Sequence, residues 1–122
     1  MANTINWFEI PVVDFERAEE FYTQIFGFKM EKNDMMGFRM GFFPQDKGSV
    51  SGAIVKGEGY IPIDHGTLIY LNGGNDLNDV LSKIEPAGGK VLVPKTLITE
   101  EIGYFAIFYD PDGNKLALHS LK

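Results

Sequence analysis

The sequence predicts an α+β domain built from two βαβββ modules, and three observations carry that prediction. First, the order of periodicities repeats: a strand, a helix and three strands, then the same again. Second, segments of the two halves align. Trp7–Pro11 falls on Thr67–Leu71, "GFKM" (Gly27 to Met30) on "GKVL" (Gly89 to Leu92), and "FRMGFFP" (Phe38 to Pro44) on "FAIFYDP" (Phe105 to Pro111). Third, 122 residues with 44% hydrophobic content and ten Phe supply a core for one domain. Module one covers about residues 1–56, a linker 57–64, and module two 65–122. Neither half can bury its sheet face alone. The halves should therefore pack, with helices on the outer face and a mixed, curved sheet around a cavity.

The elements follow in order. Thr4–Val12 reads as a strand with Phe8, Ile10 and Val12 on one face and Trp7, Glu9 and Pro11 on the other. Pro11 has no N–H for a ladder and belongs near the strand end. "DFERAEEFYTQIFG" is a helix. Asp14 caps it, Phe15, Ala18, Phe21, Tyr22, Ile25 and Phe26 form one apolar stripe, and Gly27 ends it. The charged residues of "FERAEEF" form its solvated face. Strands are predicted over Phe28–Lys32, Gly37–Phe43 and Val50–Lys56, joined by turns at Asn33-Asp34 and Pro44–Gly48. "GEGYIPID" has no periodicity and is a linker or loop.

In the second half, His65–Asn72 is a strand. A helix capped by Asp76 or Asn75 carries Leu77, Val80, Leu81 and Ile84 on its apolar face. Strands follow at Lys90–Pro94 and Gly103–Tyr109. "DPDGN" is a tight turn into the last strand, Lys115–Ser120.

Composition excludes several function classes. The net charge is −6 without clustered Lys or Arg, so nucleic acid is not an expected partner. No stretch approaches the roughly 18–20 apolar residues of a membrane span, so no membrane partner is expected. "MANTINWFEI" lacks the basic start and apolar run of a signal peptide. The absence of cysteine removes disulfides and thiolate metal sites and fits a cytoplasmic location.

The stretches "WFEIPVVDFERAEEFYTQIFGF", "SGAIVKG" and "YFAIFYDPDGNKLALHS" together resemble the vicinal oxygen chelate superfamily, which includes glyoxalase, bleomycin resistance proteins and extradiol dioxygenases. The resemblance covers nearly the whole chain and is closest to the bacterial glyoxalase-related group. It implies paired βαβββ modules with a U-shaped cavity. In the metal enzymes of that superfamily, four His, Glu or Gln ligands face the cavity and hold a divalent cation that chelates vicinal substrate oxygens. Carried over, those positions fall on Trp7, Thr67, Ala117 and, within a residue or two, Gly52. Trp, Thr, Ala and Gly do not make a metal site, so no metal or other cofactor is expected.

Alternation supplies the remaining candidates. Glu9 shares the face of Trp7, and His119 that of Ala117. The pair could divide proton transfer across a cavity, or could simply hydrogen-bond to each other or to backbone. His65, beside the linker, reads as a surface residue at a strand start. Trp7 is either a wall that stacks on a planar ligand or a plug where the metal would be. Thr67 is a further ligand-binding candidate. Tyr60, Tyr104 and Phe108 could extend the aromatic wall. Arg39 could pair with Glu9, bind a ligand carboxylate, or face solvent.

Three functions follow: a metal-independent small-molecule binder, a glyoxalase-like lyase or isomerase using Glu9 and His119, or a non-catalytic partner subunit. The binder is preferred. The modules could pair within one chain or across a homodimer.

Overall fold

A computed structural model describes residues 3–122; Met1 and Ala2, assigned above to module one, lie outside the described residues. Its elements are β1 (Trp7–Pro11), α1 (Phe15–Phe26), β2 (Glu31–Met35), β3 (Phe38–Phe42), β4 (Ser51–Lys56), β5 (Tyr70–Asn72), α2 (Leu77–Ile84), β6 (Lys90–Thr99), β7 (Gly103–Tyr109) and β8 (Lys115–Ser120). They form βαβββ twice. The strands make two separate four-stranded sheets, ordered β1-β4-β3-β2 and β5-β8-β7-β6. Each is mixed: β1–β4 and β5–β8 run parallel, and the other pairs are antiparallel.

Local chemistry accounts for the helix boundaries. The Asp14 side chain accepts the Arg17 N–H at 3.1 Å and starts α1. Gly27, at φ +72°, donates its N–H to Thr23 O and stops it in the left-handed conformation that favours glycine. Asp76, not Asn75, caps α2 by accepting the Asn78 N–H at 2.9 Å.

β1 starts at Trp7 instead of Thr4 and ends at Pro11 instead of Val12, and three further strands differ from expectation. The first hairpin turns at Met36-Gly37, both at positive φ, and not at Asn33-Asp34. That two-residue turn pairs Met35 with Phe38 and moves β2 three residues along. Phe28 and Met30 are thereby released into the core. The strand expected from His65 begins only at Tyr70, because the chain before it meets β8 through just two isolated bonds, Lys115 N–H to Ile63 O and Ala117 N–H to Ile69 O. β6 continues through Pro94 to Thr99. It is an edge strand, so the missing proline N–H costs no ladder bond, and its register shifts there.

One core joins the modules. Phe8, Ile10, Val12 and Ile54 from the first sheet meet Ala106, Phe108, Leu116 and Leu118 from the second through the apolar sides of α1 and α2. The rings of Phe21 and Phe108 lie 6.1 Å apart across this junction. Burying each such ring contributes roughly 1.5–3 kcal/mol.

The "DPDGN" turn is a second joint between the modules. Asp110 is buried and accepts from Tyr22 Oη at 2.8 Å, Asn114 Nδ2 at 2.9 Å and the backbone N–H groups of Asp112 and Asn114. Asp112 Oδ1 accepts the Val13 and Asp14 N–H groups at the entrance to α1. Asn114 donates to Pro11 O at 2.7 Å and accepts from Ile63 N–H.

Burial, with the Asp110 charge second, pushes the Tyr22 hydroxyl well above its ordinary value. The sign follows from linkage. Below about pH 10 both folded and unfolded Tyr22 keep their proton, and the contribution is intact. Above that, the unfolded phenol ionises first, so stability falls as pH rises toward the folded value. Tyr22→Phe is expected to cost about 1–2 kcal/mol at neutral pH. It should also flatten the decline above pH 10, as read by urea unfolding from pH 7 to 11. An equally steep alkaline decline in the variant would remove Tyr22 as its source.

Candidate functional site

In both sheets, period two sends one set of side chains to the helices and the other away from them. In the first sheet, Trp7, Glu9 and Pro11 of β1 lie on the face away from the helices, beside Ser51, Ala53 and Val55 of β4 and Met40 and Phe42 of β3. The small β4 residues let rings from β1 and β3 meet above them: Trp7 and Phe42 have centroids 6.0 Å apart. Trp7 nevertheless remains 40% exposed.

Glu9 sits half-buried between two aromatic donors. Trp7 Nε1 donates to its Oε2 at 3.3 Å, and Tyr60 Oη donates to its Oε1 at 2.5 Å. Tyr60 in turn packs edge-on against Phe38 at 5.3 Å. The bond to Glu9, with lesser help from burial and the carboxylate charge, pushes the Tyr60 hydroxyl above its ordinary value. It stays a donor at physiological pH.

From Glu9 a cleft of about 270 Å³ opens between the end of β1, the linker and the start of β8. Ile61, Ile63, His65, Thr67 and Lys115 line it together with Glu9. The segment read as a linker is therefore one of its walls. His65 is exposed and its Nδ1 lies 3.2 Å from Asp64 Oδ1. That hydrogen bond is the main cause holding the Asp64 carboxyl below its ordinary range.

Trp7, Glu9 and Thr67 are thus brought to one region. The other candidates lie elsewhere. His119 pairs with Asn72 and Phe105 in the second sheet, and its Nε2 contacts Ile102 O at 2.5 Å. Arg39 lies on the helix side of β3, with its guanidinium 5.0 Å from the Phe15 ring and paired with Glu16 and Asp34, not Glu9. Tyr104 also belongs to the helix side, where Lys95 Nζ lies 4.6 Å above its ring. Phe108 is core.

The positions that correspond to a metal site do not fit one. Ala117 is buried between Tyr70 and Ile107. Gly52 faces the helices, and its cavity-side neighbours are Ser51 and Ala53, neither a ligand for a divalent cation. Among the described residues no group of three or more His, Asp or Glu could hold a metal ion. No helix among them is long and apolar enough to cross a membrane. Sequence reasoning missed the Tyr60–Glu9 bond, which spans 51 residues and starts from a segment without periodicity.

Comparison with known proteins agrees with the fold. A "Glyoxylase-like domain-containing protein" of Didymella fabae is 31% identical over 119 residues, covering 93% of this chain and 91% of that protein. TnmS3, an antibiotic binding protein from Streptomyces sp. CB03234, superposes with a TM-score of 0.69 at 26% identity, covering 98% of each chain. A glyoxalase I mutant from Zea mays gives 0.70 at 20% identity, over 95% of this chain and 45% of that one. The sequence profile of the Glyoxalase/Bleomycin resistance protein/Dioxygenase superfamily matches residues 4–118, and the chain belongs to that superfamily.

Proposed function

We propose that this chain is a metal-independent small-molecule-binding protein that works as a homodimer. Its binding surface is the corner formed by Trp7, Glu9 and Tyr60 together with the adjoining cleft. The observation that carries the reading is the exchange of chemistry at the corner. Where metal enzymes of the superfamily would place a ligand stands Trp7, hydrogen-bonded to a half-buried carboxylate and partly open to solvent. That arrangement suits stacking and hydrogen bonding better than Lewis-acid chemistry. The antibiotic-binding role in the name of TnmS3 is in keeping with it.

A lyase or isomerase that pairs Glu9 with His119 is not favoured, because the His119 ring lies on the Ile102 carbonyl in the second sheet. A purely structural subunit would have no use for an open cleft.

Dimerisation is supported by the faces turned away from the helices. Beyond the Trp7 corner they carry Met40 and Phe42 in one sheet and Tyr70, Phe105 and Ile107 in the other, and none of these is buried. Apolar faces of this kind mark interaction surfaces.

The test uses thermal unfolding and the protein's one tryptophan. A specific divalent ion at a hundred times its Kd would add about 2.7 kcal/mol of stability. Zinc, nickel and manganese are each expected to leave the melting temperature unchanged, while planar aromatic compounds quench Trp7 emission. Tight stoichiometric metal binding would defeat the proposal. Sedimentation is expected to show a dimer; a monomer throughout the micromolar range would remove that part.

A further inference from the structure

Among the described residues Glu9 has two neutral donors and no cationic partner. Tyr60 and Trp7 each supply one hydrogen bond, one to each oxygen, whereas a carboxylate offers about four acceptor positions. Among the described residues no ion pair reaches Glu9: the paired cations are Arg39 with Glu16 and Asp34, Lys32 with Glu19, Arg17 with Asp14 and Asp112, and Lys95 with Asp76. Lys115 lines the same cleft without closing an ion pair on Glu9. The negative charge is therefore neither neutralised nor fully hydrated, and it stands beside an open indole.

We propose that Trp7, Glu9 and Tyr60 form a site for an organic cation: a planar aromatic ligand whose protonated or quaternary nitrogen lies against the Glu9 carboxylate and whose ring lies on Trp7. This rests on the small-molecule-binding reading of the same corner and names the class of ligand. Each element contributes in the same direction. The indole face carries the negative end of a quadrupole and is the best aromatic surface for a cation. Half-burial leaves the Glu9 charge less screened than a fully exposed one. Tyr60 keeps the carboxylate in place and blocks its rotation away from Trp7. The overall charge of −6 raises the local concentration of cations and lowers that of anions. An anionic ligand would meet like charge at the same point.

Two probes of nearly identical shape separate charge from stacking: N-methylacridinium, permanently cationic, and acridine, neutral at pH 8. Binding of each is measured by calorimetry to the full-length protein. The cation is expected to bind about tenfold tighter than acridine, with the preference shrinking as salt is raised from 20 to about 500 mM. Glu9→Gln should lose the preference while keeping acridine binding, because it retains the shape and an acceptor for Tyr60. Trp7→Leu should weaken both probes. Circular dichroism of each variant checks that the fold survives. Equal binding of the two probes, or a preference that persists in Glu9→Gln, would overturn the cation site and leave the small-molecule reading standing. Binding of neither probe would overturn both for planar aromatic ligands.

Discussion

Asp110→Ala is expected to lower the stability of the chain by about 3–5 kcal/mol, because it removes the acceptor shared by four donors in the buried joint between the modules. The donors cannot all turn elsewhere. Tyr22 Oη comes from a fully buried ring on α1, and the N–H groups of Asp112 and Asn114 are fixed by the turn. Asn114 is itself held by Pro11 at the end of β1 and by Ile63 in the cleft wall. The loss therefore spreads to the strand that carries Glu9 and to the segment that faces it. Urea unfolding measures the cost. Combined with Tyr22→Phe, the effects should be strongly non-additive, since the two residues share one bond. A change below about 1 kcal/mol for Asp110→Ala would show that the modules are held by apolar packing alone.

The sequence made the helices legible because their signals are local. A stripe at three- and four-residue spacing, an acidic cap and a terminal glycine all point to α1 between Asp14 and Gly27. The first hairpin departs from expectation for an equally local reason. Asn33-Asp34 has the usual turn chemistry, whereas the turn that forms uses Met36 at φ 53°, a conformation few methionines adopt. Period two placed Trp7 and Glu9 together on the correct side of β1. The same rule could have placed Tyr104 with Ala106 and Phe108, and Arg39 with Gly41, but it does not say which of two faces meets a helix. That depends on packing between segments far apart in sequence. The "DPDGN" stretch is legible as a turn but not as a joint, although Asp110, Asp112 and Asn114 recur at every second position. Their partners, Tyr22, Val13 and Pro11, lie about 90 to 100 residues away.

Gly52→Ala is expected to cost about 3 kcal/mol, at the upper end for overpacking, and to disturb the candidate site from behind. Gly52 lies in β4 opposite Phe8 in the parallel pair with β1. A methyl group there would stand 2.3 Å from Phe8 O and 2.6 Å from the Phe8 ring. A side chain can swing aside but a strand carbonyl cannot, so β1 must slide or tilt away from β4. Trp7 and Glu9 flank Phe8 on the opposite face and would move with it. The substitution should therefore lower the melting temperature and also shift the emission of Trp7 in the folded state. Ser51→Ala, one residue away, is the control. It loses the Ser51 Oγ–Phe43 O bond, about 1 kcal/mol, without adding bulk against β1. Trp7 emission should be unchanged in that variant. If Gly52→Ala melts like the parent, β1 and β4 are not packed closely enough for a methyl group at Gly52 to meet Phe8 O. If it is destabilised but leaves the tryptophan spectrum untouched, the strain is absorbed on the helix side, and the corner of Trp7 and Glu9 is held by Tyr60 and Phe42 independently of the strand pairing beneath it.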